Sequence, residues 1–462
     1  MSIEEKNEAR FLNGQLHLYI SRSANRIFLF LLLFLTSVSY VMYVSNLASL
    51  GRVVLFFIFG AVATSIFFLS KSIYDDYYSP IGLMGASWFG TVALSLLKLS
   101  PKYQASWDAA TWSAIIFSFI SFFLGVLVID KKFGVIRQQR TNEVEESEEF
   151  IRKIILALFI LGGSAFVVQM INTAMTAGLS IFINDPSRAR DVFWIFGIGY
   201  LYILNFLNFI FCSIYISVYG VRKSILFILV ASLLMMPFHL VRTVIILSLI
   251  AAYFGIHYAT EKRHGIKPML ILSAGIVGFF IMYSIYTGGK EFSTQFIDSG
   301  DVNFPGNVWF LVRPYLYLST NFDNLYAALN QTELEYTLGA RTFNPILKLT
   351  LVHDSYSLSD VFNAQRAVYG GALNQNTYLG DLYYDFGWPG ILIGPALLGA
   401  LSQFVYKWSR WSQSIAIIAI YSVVAFSVAF SFFANYFSKL YVWEFTILSL
   451  FVYVAIKWRA HG

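Results

Sequence analysis

Cysteine occurs once in the 462 residues, as Cys212, and only 13% of the chain is charged. A single cysteine excludes an intramolecular disulfide, a thiolate cluster and any Cys-based metal site. Soluble proteins carry about a quarter charged residues; the shortfall here, with a mean hydropathy of +0.64, excludes a soluble globular enzyme. A P-loop and a Gly-x-Ser-x-Gly elbow are both absent, so ATP-driven and triad-hydrolase chemistries have no support. Paired histidines at helical spacing are also lacking. Aromatic residues, by contrast, are abundant: 45 Phe, 29 Tyr and 10 Trp exclude a disordered chain. What remains is a polytopic membrane protein. Its net charge of +6 does not point to nucleic acid; how that charge is shared between the two sides of a membrane is the informative quantity.

A bilayer core needs about 20 apolar residues of helix. Twelve segments qualify as candidates, near 27–46, 53–70, 80–97, 111–129, 154–173, 194–218, 224–238, 241–258, 268–288, 387–406, 413–433 and 439–457. The seventh and eighth are short and separated only by Phe238–Arg242, and fusing them would invert everything downstream. Charge arbitrates. With twelve spans and both ends inside, 20 Lys and Arg fall on the inner side and 7 in the short outer loops. That asymmetry follows the positive-inside rule and predicts a chain reversal at 238–242. Residues 8–20 read as an interfacial helix, and the acidic run Glu143–Glu149 as a solvated linker. No cleavable leader is apparent, because the first apolar run follows a 26-residue polar tail and is long enough to span. Three parts follow: an N-terminal transmembrane bundle at 1–288, a large outer loop at 289–385, and a C-terminal bundle at 386–462.

The 97-residue loop carries 10 acids and 5 bases and is too rich in Phe, Trp, Tyr and Leu for a linker. Stretches 307–329 and 357–369 have helical apolar spacing, which predicts amphipathic helices on the bilayer surface or capping the bundle. Such a loop closes a cavity for a lipid-linked substrate or serves as a docking surface. Ionisable residues at membrane depth are functional candidates, and Arg242 stands out at the outer boundary between two short segments. Its bland alternative is an arginine snorkelling to headgroups. His239, three residues earlier, shares its face if the turn is helical; packing is the plainer role. Arg188 and Arg190 in Asn184–Asp191 are outward too, and their alternating spacing lets both face one way only in extended chain. Arg313 precedes Pro314 at an expected helix start, and Arg341 lies further along the loop. Arginine forks match phosphate oxygens in pairs, so an outward cluster suits a lipid pyrophosphate. Asp75–Asp76, an adjacent acidic pair, falls on the inner side, away from the loop.

The stretch Asn374–Gly390 runs from the end of the loop into the tenth segment, reading Asn-Gln-Asn-Thr-Tyr-Leu-Gly-Asp-Leu-Tyr-Tyr-Asp-Phe-Gly-Trp-Pro-Gly. It resembles the Wzy-type repeat-unit polymerases of O-antigen and capsule synthesis, in which a Thr-x-x-Gly-x-x-x-x-x-x-Gly pattern closes the large periplasmic loop. Here the pattern is Thr377, Gly380 and Gly387. Arg242-Thr243 is similar to the family's Arg followed by a small or polar residue at the outer start of a middle span. Arg188 and Arg190 match its Arg-bearing periplasmic loop, with Gly199 eleven positions after Arg188. The resemblance covers the architecture of most of the chain, and its motifs are loose.

That resemblance implies an all-helical, metal- and cofactor-independent glycosyltransferase of the bacterial inner membrane, with both termini cytoplasmic. Its substrate would be an undecaprenyl-pyrophosphate-linked oligosaccharide within membrane lipid, and its partners a flippase and a chain-length regulator. It implies Arg242, Arg188 and Arg313 as cationic stabilisers of the leaving pyrophosphate. Asp381 is the candidate base, with Asp385 not distinguished from it. Arg190, Asn376, Thr377, Tyr378, Gly380, His239 and Arg341 would bind sugar or phosphate. Two rivals remain. An O-antigen ligase uses the same donor and a loop histidine, for which His353 is available; a flippase or scaffold would do no chemistry, although no internal repeat of the transporter kind is evident.

Overall fold

The computed structural model describes residues 49–134, 147–260, 266–286, 289–331, 334–349 and 375–461. It is all-helical: 81% is helix, and no strand occurs among the described residues. In chain order the main helices are α1 (Ser49–Tyr74), α2 (Pro80–Leu96), α3 (Ala109–Phe133), α4 (Glu148–Ala177), α5 (Pro186–Phe193), α6 (Ile198–Tyr219), α7 (Lys223–Met235) and α8 (Arg242–Ala259). They continue with α9 (Ile266–Tyr286), α10 (Gly289–Asp298), α11 (Val312–Ser319), α12 (Asn321–Leu329), α13 (Tyr378–Phe386), α14 (Trp388–Ser412), α15 (Ile415–Ala429) and α16 (Leu440–His461).

Seven of these, α1, α3, α4, α6, α8, α14 and α16, are long and apolar enough to cross a membrane. Four shorter apolar helices lie at Pro80–Leu96, Lys223–His239, Lys267–Gly278 and Ile415–Ala429. Each segment expected from residue 53 onward falls on one of these eleven, but the count of twelve spans is met only in part. A 15-residue helix such as α15 reaches about 22 Å at 1.5 Å per residue, short of the roughly 30 Å hydrocarbon core. The expected segments at 27–46, 8–20 and 357–369 lie outside the described residues, as does His353.

The helices start and stop for local reasons. Asp108 caps α3 by accepting from the Thr111 amide at 2.8 Å, and Ser79 with Pro80 opens α2. Helices α3 and α14 pack with backbones almost touching, because a Cβ on Gly125 would lie 1.9 Å from the Ala396 carbonyl, the small-residue contact of membrane bundles. The acidic run is more than a linker at its end. Glu148 and Glu149 form the first turn of α4, where the helix dipole favours them, and Glu148 accepts from Tyr215 at 2.7 Å and Arg222 at 3.2 Å.

The reversal at 238–242 is present. Helix α7 runs back along α6, its Met235 carbonyl accepting from the Tyr202 hydroxyl at 2.6 Å. A 3-10 turn, Met236–His239, and Leu240 in the left-handed region (φ 55°) turn the chain. Helix α8 then follows α6, with His239 on Phe206 at one end and Gly255 on Ile214 at the other. A left-handed leucine costs roughly 1–2 kcal/mol, which the surrounding packing must offset.

At the end of the bundle away from Arg242, acids are enclosed. Asp76 accepts from the Tyr78 amide at 2.9 Å, Tyr258 at 2.9 Å and Tyr406 at 3.1 Å, with His257 3.4 Å away. Asp130 takes Lys407 at 2.6 Å, Gln403 at 2.7 Å and Tyr74 at 2.5 Å. The loop region 289–385 is joined to the bundle: Phe322, Leu325 and Ala328 of α12 belong to the same core as Trp88 and Phe119. Asp323, fully buried, receives Lys98 and Trp107, each at 2.8 Å, and the Ala105 amide at 3.0 Å. Beside it, Lys102 pairs with Asp301 at 2.6 Å. The expected helix at 307–329 is a 3-10 turn followed by α11 and α12.

Candidate functional site: an arginine-lined cavity

A cavity of about 870 Å3 opens where α5, α8, α9, α11 and the segments around α15 meet. Arg190, Arg242 and Arg313 all line it, and each comes from a different helix. Arg242 is the first residue of α8, at the positive end of the helix dipole. A cation there is disfavoured by roughly 0.3–1 kcal/mol, whereas an anion is favoured. The reversal at Leu240 sets this placement, and the guanidinium and the helix terminus together favour an anion at the mouth. Leu240, Val241 and Thr243 line the same wall.

The rest of the cavity divides in two. Met269, Leu272, Ile276 and Val277 of α9, with Ile246 and Ile250 of α8, make an aliphatic side. Phe426, Phe430 and Phe432 add stacked rings, with centroids 4.6 and 5.7 Å apart. Beside the arginines, polar side chains are few: Asn184, Thr243, Ser273, Tyr317, Gln375 and Tyr436. Few polar groups among apolar walls is the usual make-up of a ligand pocket. No Asp, Glu or His belongs to the lining among the described residues, nor do three such side chains gather anywhere among them to hold a metal ion.

The other expected residues lie elsewhere. Arg188 and Arg190 do not share an extended strand: Asp185 caps α5 by accepting from the Arg188 amide at 3.1 Å. Two residues along a helix turn by about 200°, so only Arg190 reaches the cavity. His239 is buried among Trp194, Tyr202 and Phe206, ring centroids 5.4–5.7 Å away, in a packing role outside the lining.

The Thr377–Gly387 motif is a joint. Thr377 and Tyr378 are buried, Tyr378 edge-on to Trp88 at 5.4 Å, and its amide donates to the Ser431 carbonyl at 2.9 Å. Neither side chain is in the lining of this cavity. Gly380 leaves room for Asn376, whose side chain folds over the first turn of α13; a Cβ would come within 2.0 Å of it. Gly387, at φ 64°, makes the turn into α14. Asp385 is fully buried and accepts from Thr337 (2.5 Å), the Arg341 amide (3.0 Å), and the Thr342 amide (2.7 Å) and hydroxyl (2.6 Å). It clasps the chain at Thr337–Thr342. Asp381 pairs with Arg341 at 3.4 Å, and the guanidinium lies 4.3 Å over the Tyr384 ring. Burial pulls Arg341 below its ordinary pKa against the opposing pull of Asp381, and pushes the Tyr384 hydroxyl up to about 12. What the motif delivers to the cavity is its neighbour Gln375, whose carbonyl accepts from Asn324 at 2.5 Å. Gln375 and Tyr317 escape a reading of the sequence. Tyr317 is four residues after Arg313 in a stretch with helical spacing, and that was the available signal.

Comparison with known proteins finds no matching family model, no matching curated protein and no matching solved structure.

Proposed function

We propose that the chain is a polymerase of undecaprenyl-pyrophosphate-linked oligosaccharide repeat units, acting on the periplasmic side of the bacterial inner membrane. The convergence of Arg190, Arg242 and Arg313 on one cavity with an aliphatic wall carries this reading. A lipid pyrophosphate is the ligand class with both halves: a dianionic head for guanidinium forks and a prenyl chain for the α8–α9 side. The charge asymmetry that directs the Arg242 end outward supports the periplasmic assignment.

In the reaction, the bond between the anomeric carbon of the growing glycan and its pyrophosphate oxygen breaks. That carbon bonds to a hydroxyl at the non-reducing end of the incoming lipid-linked unit. Undecaprenyl pyrophosphate departs with the bonding pair, and the proton of the attacking hydroxyl passes to the departing pyrophosphate or to water. Charge develops on the leaving pyrophosphate, where preorganised cations count most. Arg242 and Arg313 fill this role, with Arg190 holding the head group. No metal or cofactor is called for, and the resemblance assigns a flippase and a chain-length regulator as partners.

Glycan length in a deletion strain tests the proposal. Loss of a polymerase leaves single repeats on the final acceptor. Polymer retained on the carrier lipid would instead identify a ligase, and unchanged glycan would exclude both.

A further inference from the structure

The cavity has an aromatic corner that the leaving-group chemistry does not use. Tyr317 and Phe433 both line it, half-buried, with ring centroids 6.1 Å apart and planes inclined at 32°. Tyr317 lies on α11, four residues after Arg313, so the two share one helix face about one turn apart. Gln375 stands in the same lining, its backbone anchored by Asn324. The aliphatic residues are grouped on α8 and α9, whereas the aromatic pair comes from α11 and the segment after α15.

We propose that Tyr317, backed by Phe433, is the stacking platform for the sugar bonded directly to the pyrophosphate, with Gln375 reading its hydroxyls. This rests on the lipid-pyrophosphate reading above. The anomeric carbon is linked to a phosphate oxygen, so the first sugar ring begins within a helical turn of a phosphate held by Arg313. A pyranose has a C–H face with slight positive character, which the negative face of an aromatic ring attracts. The shallow V of two rings offers that face from one side and leaves the hydroxyl rim to the amide of Gln375. An aliphatic side chain at 317 would keep the apolar area and lose the ring quadrupole. Tyr317 therefore distinguishes glycosylated from bare carrier lipid, whereas the arginines bind both.

The test uses the full-length protein in lipid nanodiscs and two probes: undecaprenyl pyrophosphate, and the same lipid carrying one N-acetylglucosamine. The expected result is that Tyr317→Leu weakens binding of the sugar-bearing lipid about 3- to 10-fold, the range for an aromatic contact, and leaves the bare lipid unchanged. Tyr317→Phe should stay within about twofold for both, and Phe433→Leu should show a smaller loss in the same direction. Equal binding of the sugar-bearing lipid by Tyr317→Leu and the parent would overturn the platform. So would an equal loss for both probes, which would make Tyr317 part of the phosphate site. Arg242→Ala separates the two levels of the argument, since it should weaken both probes together. If bare lipid does not bind the parent, or binds Arg242→Ala equally well, the lipid-pyrophosphate reading fails, and the platform with it.

Discussion

At one end of the bundle Asp76 and Asp130 are enclosed, each surrounded by three or more hydrogen-bonding or charged neighbours. At the other end three arginines from three helices are turned toward a common cavity with no acid in its wall among the described residues. Charge withdrawn from water must be matched, as it is around Asp76 and Asp130. The second end gathers three arginines around open space, Arg190 exposed and paired with Asp191 at 3.1 Å and Arg242 at a helix N-terminus, an arrangement that also favours an anion from outside. The difference teaches where to look for function: buried ion pairs with full complements hold the fold, and convergent like charges around space mark a ligand.

The largest expected effect breaks the cavity end. Arg242→Ala should abolish polymer while the protein inserts at normal levels, a loss of about 100- to 1,000-fold in rate for one transition-state contact. Arg242→Lys should lose most activity because it keeps charge but not the fork. Glycan ladders beside an immunoblot give the answer, and full-length polymer with Arg242→Ala would reduce the residue to a headgroup anchor.

The opposite end should fail differently. Lys407→Ala leaves Asp130 without its cation, and removing one partner of a buried pair costs about 3–5 kcal/mol. The expected outcome is a lower melting temperature and lower yield, with activity per folded molecule retained. Loss of activity at unchanged stability would erase the contrast between the two ends.

The joint between loop and bundle lies between these extremes. Gly380→Ala should cost about 1–3 kcal/mol by overpacking against Asn376, and Asn376→Ala in the same chain should recover much of it. Thermal unfolding of the single and double variants measures the coupling. A Gly380→Ala protein as stable as the parent would show that Asn376 moves aside freely.

The smallest effect concerns Asp323. Burial raises its pKa above the ordinary 3.8, with Lys98 opposing. Between the ordinary and raised values the folded protein holds a proton that the unfolded chain has lost, so this residue makes stability fall as pH rises through that window. Comparing melting temperatures of the parent and Asp323→Asn from pH 4 upward isolates this slope. An identical pH profile in both would show that the pair with Lys98 cancels the burial cost.

Particular residues show what could be read in the sequence. Helical class and the reversal at 238–242 follow from hydropathy and charge placement, and Arg190, Arg242 and Arg313 from their position beside apolar segments. Arg188 could not be separated from Arg190 without knowing that Asp185 and Pro186 begin a helix there, although both residues are helix-start signals. The Thr377–Gly387 motif lies next to the cavity, but its residues pack the joint while Gln375 lines the cavity; a motif gives position before it gives role. Asp76 with His257, and Asp130 with Lys407, join residues far apart in the chain, and no local pattern encodes such pairing. Tyr317 and Phe433 are two among 29 tyrosines and 45 phenylalanines, so only their placement distinguishes them.

The central claim is that the arginine cavity recognises a lipid through its pyrophosphate. Its most direct test is equilibrium binding of undecaprenyl pyrophosphate and of undecaprenol to the purified protein in nanodiscs. The account predicts that the pyrophosphate binds at least about 100-fold more tightly, since each of several charged contacts contributes about 1.5–3 kcal/mol. That margin should collapse when Arg190, Arg242 and Arg313 are all replaced by alanine. Equal affinity for the two lipids in the parent protein would contradict it.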